Sequence, residues 1–182
     1  MNQQAFSLLP FKLQQIQDLG LNLKIIGNIA RNRNKLVINY QVIGDIAEVI
    51  IPQGNNLPIR QNELWEETCF ELFLGIKDSP GYWEFNLSPN GNWNIYRFDD
   101  YRQGMREENT IKFLPFRFDQ KADTLLLTLE FDLESLISIN DLLDVSITSV
   151  IKFKDETLSY WAISHSAQVA DFHQRDSFAI QL

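Results

Sequence analysis

Four polar residues in the middle of the chain, Glu71, Glu84, Asn86 and Arg97, have the types and spacing to recognise a hydroxylated ligand. Carboxylates and amides bond vicinal hydroxyls, and a guanidinium offers two parallel N–H donors. Trp65, Tyr82 and Trp93 lie close by in sequence and supply flat apolar surface for the C–H face of a sugar ring. Two carboxylates also suit glycoside hydrolysis, in which a retaining enzyme holds its pair about 5 Å apart. An arginine beside Glu84 opposes that chemistry, because it keeps ionised a carboxyl that a general acid needs protonated. A second group, His165, Asp171, His173 and Arg175, lies near the C-terminus. Its histidines stand eight residues apart, unlike the tight spacings of zinc sites, and no third strong ligand accompanies them. Local turn hydrogen bonds are the expected role of Asp171 and His173. Met105 with either histidine matches a haem ligand pair in type. The expectation is no metal and no cofactor, with haem or a divalent ion as the alternative.

The polar residues converge only if particular strands hold them. Tyr82–Ser88 and Trp93–Phe98 read as strands flanking Pro89-Asn90-Gly91-Asn92, with Asn-Gly at the tip. With Asn90 and Gly91 as a two-residue loop, Ser88 faces Trp93, Asn86 faces Ile95 and Glu84 faces Arg97. Alternation sends Trp83, Phe85 and Leu87 to the core side and Tyr82, Glu84 and Asn86 to the other. Leu64–Leu74 alternates as a third strand, with Leu72 on the core side and Glu71 on the side of Glu84. A polar face centred on an Arg97–Glu84 cross-strand pair is predicted. A one-residue slip would scatter it.

Elsewhere, Ala5–Leu9 reads as a short edge strand and Leu13–Leu21 as a turn of helix. Leu23–Ile29, Leu36–Val42, Ala47–Ile51, Ile111–Phe118, Thr124–Phe131, Leu143–Lys152, Thr157–Ser164 and Ser177–Leu182 read as strands, and Asp132–Leu136 as a short helix. Gln53–Glu63, Asp99–Asn109 and His165–Asp176 are loops. Ten to twelve short strands with little helix predict an all-β fold, a single antiparallel β-sandwich spanning residues 1–182 as one domain.

Composition narrows the partners. The 182 residues carry a net charge of −8 with no basic run, which argues against nucleic acid or an anionic membrane. Cys69, the single cysteine, allows no internal disulfide and is expected to be a small buried residue within its strand. There is no glycine-rich phosphate loop and no serine nucleophile elbow. Met1-Asn2-Gln3-Gln4 has no basic character and no long apolar run follows, so a soluble cytoplasmic protein is expected.

Several stretches taken together resemble a known family. They are Leu64-Trp65-Glu66-Glu67-Thr68-Cys69-Phe70-Glu71, then Tyr82-Trp83-Glu84-Phe85-Asn86-Leu87-Ser88-Pro89 with Gly91, then Tyr101-Arg102-Gln103-Gly104-Met105. The tail adds Ser159-Tyr160-Trp161-Ala162, His165 and Asp171-Phe172-His173. The combination, in order from Arg60 onward, is similar to DOMON-like domains, small bacterial proteins related to the type 9 carbohydrate-binding module. The chain departs from the pattern at Ser166 and Ala170, where the family carries proline. The resemblance implies a β-sandwich with a ligand, a sugar or a haem, on one sheet face and no catalysis.

The expected function is non-catalytic binding of a mono- or oligosaccharide, with Glu71, Glu84, Asn86 and Arg97 bonding hydroxyls and Trp93, Tyr82 or Trp65 stacking. The alternatives are a sugar hydrolase using Glu71 and Glu84, a haem-binding domain, and a structural domain forming a homodimer through its aromatic face. On the predicted register, Arg97→Ala abolishes sugar binding in a protein that still folds.

Overall fold

A computed structural model describes residues 2–54 and 57–182; positions 55 and 56 of the Gln53–Glu63 loop, and Met1, lie outside the described residues. The architecture is all-β, with twelve strands among the described residues. The first sheet runs β1 (Asn2–Pro10), β2 (Leu23–Asn32), β3 (Lys35–Gly44), β9 (Thr124–Asp132) and β8 (Phe116–Gln120). The second runs β7 (Arg106–Glu107), β6 (Trp93–Phe98), β5 (Tyr82–Leu87), β4 (Cys69–Ile76), β10 (Leu143–Lys152) and β11 (Leu158–Ala162). A two-residue strand, β12 (Ile180–Gln181), pairs with the start of β10. All these pairings are antiparallel. A short helix, α1 (Leu13–Asp18), follows β1.

Period-two alternation gives each sheet an apolar face. Leu36, Ile38, Tyr40 and Val42 of β3 and Leu125, Leu127 and Leu129 of β9 meet Phe70, Leu72 and Leu74 of β4, Phe85 and Leu87 of β5, and Val145 and Ile147 of β10. The sheets touch through Tyr40 and Phe70, 5.2 Å between ring centroids, and through the Tyr40 hydroxyl, which donates to the Glu71 carbonyl at 2.6 Å. Cys69 is buried. No helix among the described residues is long and apolar enough to cross a membrane.

Six predicted elements change. Asp132–Leu136 is not a helix but the end of β9 followed by a turn, in which the Leu136 N–H donates to the Leu133 carbonyl at 2.8 Å. Of Ser177–Leu182 only Ile180–Gln181 is strand, because Ser177 closes a 3-10 turn, Arg175–Ser177. The N-terminal strand is not an edge: it pairs with β2 along Asn2–Leu8 and crosses to β11 at Leu9 and Pro10, joining the two sheets. Ala47–Ile51 is not a strand but a 3-10 turn at Ile46–Glu48, because the buried residues Ile46 and Val49 are three apart, the spacing of a helical turn. Trp65 likewise sits in a 3-10 turn, Leu64–Glu66, entered through left-handed Glu63 (φ 61°), and the strand starts only at Cys69. The strand expected from Ile111 begins at Phe116, after Pro115, which has no N–H to donate.

The hairpin register also differs by one residue. Leu87 faces Trp93, Glu84 faces Tyr96 and Trp83 faces Arg97. The connection is three residues long: the Gly91 N–H donates to the Ser88 carbonyl at 2.9 Å, the Ser88 N–H donates to Asn92 at 2.9 Å, and Gly91 has φ +92°. This is a type I turn followed by a glycine bulge, with Pro89 at the second position, where its fixed φ fits. A two-residue loop would ask Pro89 for an amide hydrogen it lacks. There is accordingly no Arg97–Glu84 pair. Arg97 and Trp93 share the face of Trp83: Trp93 is buried in the core, and the exposed Arg97 guanidinium lies 5.4 Å from the Trp83 ring centroid.

The bulge makes Gly91 intolerant of a side chain, since a Cβ there would also stand 3.3 Å from Pro58. Gly91→Ala should lower unfolding stability by about 1–2 kcal/mol, read as a lower urea midpoint; an unchanged midpoint would show that the bulge does not set the register.

Candidate functional site

The outer face of the second sheet carries two polar-aromatic rows. In one, Asn94, Asn86, Glu71 and Thr148 are cross-strand neighbours from β6 to β10; in the next, Tyr96, Glu84, Phe73 and Ser146 are. Glu71 and Glu84 are therefore diagonal neighbours on β4 and β5. They are 2% and 5% exposed. The Thr148 hydroxyl donates to Glu71 Oε2 at 2.9 Å, and Asn86 Nδ2 donates to Glu84 Oε1 at 2.8 Å. An aromatic cluster separate from the main core, Phe73, Tyr82, Tyr96, Phe98 and Phe178, surrounds them.

Three segments rise over this face and leave a cavity of about 660 Å³. Trp65 stands at one wall, edge-on to Tyr96 with 5.7 Å between centroids. Arg102 and Met105 come from the Asp99–Asn109 loop, and Phe172 and His173 from the C-terminal loop. Val150 and Tyr160, from β10 and β11, close the far side, and Glu71, Phe73, Glu84 and Phe98 line the sheet side.

Asp171 holds two of these segments together. Its carboxylate accepts from the Tyr101 hydroxyl (2.6 Å), Arg102 Nη2 (2.9 Å), Gln174 Nε2 (3.0 Å) and the His173 backbone N–H (3.1 Å). Burial alone would raise its pKa, but these donors outweigh it and hold the carboxyl down at about 2. The Asp99–Asn109 loop is itself pinned by a two-bond Arg106–Asp99 pair at 2.8 Å. On the other side, Arg60 donates to Asn94 Oδ1 (2.6 Å) and to the carbonyls of Glu108 and Ile111, with its guanidinium 4.3 Å from the Trp93 ring centroid.

His173 is held from below. The Arg102 N–H donates to the Tyr82 hydroxyl at 3.2 Å, so that hydroxyl is free to donate its own hydrogen to His173 Nδ1, 2.9 Å away. The imidazole then carries its hydrogen on Nε2, which points toward Glu84 Oε2 at 3.9 Å. Burial, with Arg102 adding to it, pushes His173 down to about 4, so it is neutral at pH 7.

Several sequence candidates gather here and several do not. Glu71, Glu84, Trp65 and His173 line the cavity, while Asn86 lies beneath Glu84 and Asp171 braces the wall. Tyr82 is buried and stacked on Phe98 at 4.8 Å, so its ring supports the floor rather than a ligand. Arg97 and Trp93 are on the opposite face. His165 is elsewhere, its Nε2 bonded to the Leu9 carbonyl at 2.8 Å, and Arg175 bonds the Ile76 carbonyl at 3.2 Å. His173 Nδ1 is taken by Tyr82, and its Nε2 lies 3.9 Å from Glu84 Oε2. Among the described residues no group of three or more His, Cys, Asp or Glu could hold a metal ion.

Sequence reasoning assigned no ligand role to Phe73, Thr148, Tyr160, Phe172 or Arg102. Phe73 carried a signal, because it alternates in phase with Glu71. Tyr160, Phe172 and Arg102 all stand in the stretches that carried the family resemblance, and those stretches meet around this cavity. Thr148 carried no signal, because it becomes polar floor only through pairing with Glu71.

Both floor carboxyls are pushed above the usual range. Burial raises Glu71, the neighbouring Glu84 charge raises it further, and Thr148 pulls back. Burial also raises Glu84, against the pull of Asn86 and Arg102. The pair titrates as a unit. With Glu71 raised to about 8 and Glu84 to about 7, the folded state holds more protons than the unfolded chain between their ordinary and raised values. Their stabilising contribution is complete below the ordinary glutamate pKa and is lost as pH rises through the raised values. The lowered His173 acts oppositely: its contribution is present above about 6.5 and is lost as pH falls toward about 4. Melting temperature should therefore fall from about pH 6.5 to about pH 8.5, and Glu71→Gln or Glu84→Gln should flatten that fall; scanning calorimetry across pH reads both.

No protein-family model matches the chain, and no curated protein matches it. Solved structures do. A proposed carbohydrate-binding protein from Bacteroides uniformis is 12% identical, with a TM-score of 0.65 over 97% of this chain and 84% of that one. A family 9 carbohydrate-binding module from Caldicellulosiruptor kristjanssonii, solved with cellotriose, is 9% identical with a TM-score of 0.46, over 78% of this chain and 66% of that one. The same type of module solved with glucose is 11% identical with a TM-score of 0.46, over 78% and 67%. At these identities the likeness to the Bacteroides protein is one of fold: a β-sandwich built the same way through almost the whole chain.

Proposed function

We propose that the chain is a non-catalytic binding domain for a small polyhydroxylated ligand, a mono- or oligosaccharide, seated in the cavity over Glu71 and Glu84. The observation that carries this is the cavity's composition: carboxyl oxygens on its floor, aromatic rings on its walls, and an arginine lining it. A sugar has the same division, hydroxyls around its rim and C–H groups on its faces. Glu71 and Glu84 would bond hydroxyls, accepting where ionised and donating where protonated, and each bond to an ionised carboxylate would contribute about 1.5–3 kcal/mol. Trp65, Tyr160 and Phe172 would meet the ring's C–H face. The convergence of the resemblance-bearing stretches on one cavity supports the same reading. A thermal-shift screen against sugars tests it, since a ligand at a hundredfold excess over its dissociation constant adds about 2.7 kcal/mol to native stability. Trp65→Ala should weaken the best sugar by about tenfold in calorimetry, whereas Arg97→Ala, across the sheet, should leave affinity unchanged, reversing the expectation from sequence. Loss of binding in Arg97→Ala with an unaltered fold would count against this cavity.

One observation favours a second reading, glycoside hydrolysis. Arg97 is not beside Glu84, and the raised Glu84 carboxyl holds a proton near neutrality, as a general acid must. Chromogenic glycosides discriminate the two: turnover that disappears in Glu84→Gln establishes an enzyme, and its absence across the series leaves a binding domain.

A further inference from the structure

Each floor glutamate gives one oxygen to the protein and keeps the other for the cavity. Glu71 Oε2 accepts from Thr148 and Glu84 Oε1 accepts from Asn86. Among the described residues nothing donates a hydrogen bond to Glu71 Oε1 or to Glu84 Oε2, whose nearest ion-pair partner is neutral His173, 3.9 Å away. Two carboxylates buried side by side without a counter-ion are costly. The other charges around them do not supply one. Among the described residues Arg102 is the one permanent cation lining the cavity; it pulls on Glu84 but forms its ion pair with Asp171, at 2.9 Å, and Glu66 adds a further carboxylate at the cavity wall. The local balance is negative, as is the chain's. The walls are Trp65, Phe73, Phe98, Tyr160 and Phe172, rings whose π faces attract cations.

We infer that the ligand carries a positively charged ammonium seated between Glu71 and Glu84, which makes amino sugars, rather than neutral sugars, the class this cavity takes. The sugar half of that statement rests on the proposed function; the cation half rests on the carboxylates alone. Diagonal neighbours on paired strands lie roughly 7–8 Å apart along the backbone, a gap that an ammonium spans with one N–H···O bond of about 2.8 Å to each carboxylate. Its remaining hydrogen is left for a ligand hydroxyl. A neutral sugar gives the pair no counter-ion, whereas an ammonium favours the ionised form of both carboxyls.

The test is titration calorimetry of the full chain near neutral pH against matched sugars of gluco, galacto and manno configuration. Each is offered as the neutral sugar, the 2-amino sugar and its N-acetyl derivative, with cyclohexylamine as a cation that is not a sugar. The expected result is that one 2-amino sugar binds about tenfold or more tighter than its neutral and N-acetyl partners, and that Glu71→Gln and Glu84→Gln, with the fold checked by circular dichroism, bring the ratio close to one. Equal or weaker binding of the amino forms overturns the cation and leaves the sugar reading standing. A preference that survives in both glutamine variants also overturns it. Binding of cyclohexylamine alone, lost in Glu84→Gln, upholds the cation and overturns the sugar. Binding of none of them overturns both.

Discussion

Pro89 has no amide hydrogen, and the hairpin around it closes in the one way that does not need it. Three residues rather than two form the connection, Gly91 takes up the left-handed conformation at the bulge, and the partner strand is set one residue along. Every side chain of β6 changes face as a result. Trp93 enters the core and Arg97 leaves the outer face. Asn94, Tyr96 and Phe98 come to lie beside Asn86, Glu84 and Tyr82. The outer face is therefore carboxylates and aromatic rings, with no guanidinium from the sheet itself.

Above that face, the cavity exists because the loops are held off it. Asp171 is the post: four donors from two segments converge on one carboxylate, and the bond from Arg102 is charge-assisted. The Tyr82 hydroxyl fixes His173 from the sheet side, and Arg60 fixes the Asn94 end through three acceptors. Polar contacts of this kind are directional, so they keep walls apart where apolar contacts would let the loops collapse onto Phe73 and Phe98.

The floor works against stability. Glu71 and Glu84 are desolvated and repel one another, and a pair of Leu or Val residues there would fold more favourably. The main core, with Phe70, Leu72, Phe85 and Ile147 wholly buried, tolerates that cost. Local disfavour of this sort, with one free oxygen on each carboxyl turned to a cavity, is what a binding or catalytic site leaves in a fold.

Alternation of apolar residues determined most of the architecture from sequence alone: the antiparallel strands, the core faces of β3, β4, β5, β9 and β10, and the placing of Glu71, Glu84 and Asn86 together on an outer face; burial of Cys69 followed from its residue type. Period two is a local property, so one chain suffices to read it. Ile46 with Val49, and Pro115 before Phe116, were also local signals, where spacing of three and a missing donor outweighed β-propensity. Pro89 before Asn90-Gly91 was a third, and it pointed to the longer turn. What tertiary structure alone decided was which faces and loops meet. Thr148 becomes part of the floor only because β10 lies against β4, and Asp171 becomes a post only because the C-terminal loop crosses to Tyr101 and Arg102. Those contacts join residues about 70 positions apart or more. Their partners are chosen by sheet order and loop path, and no periodicity within one segment encodes either.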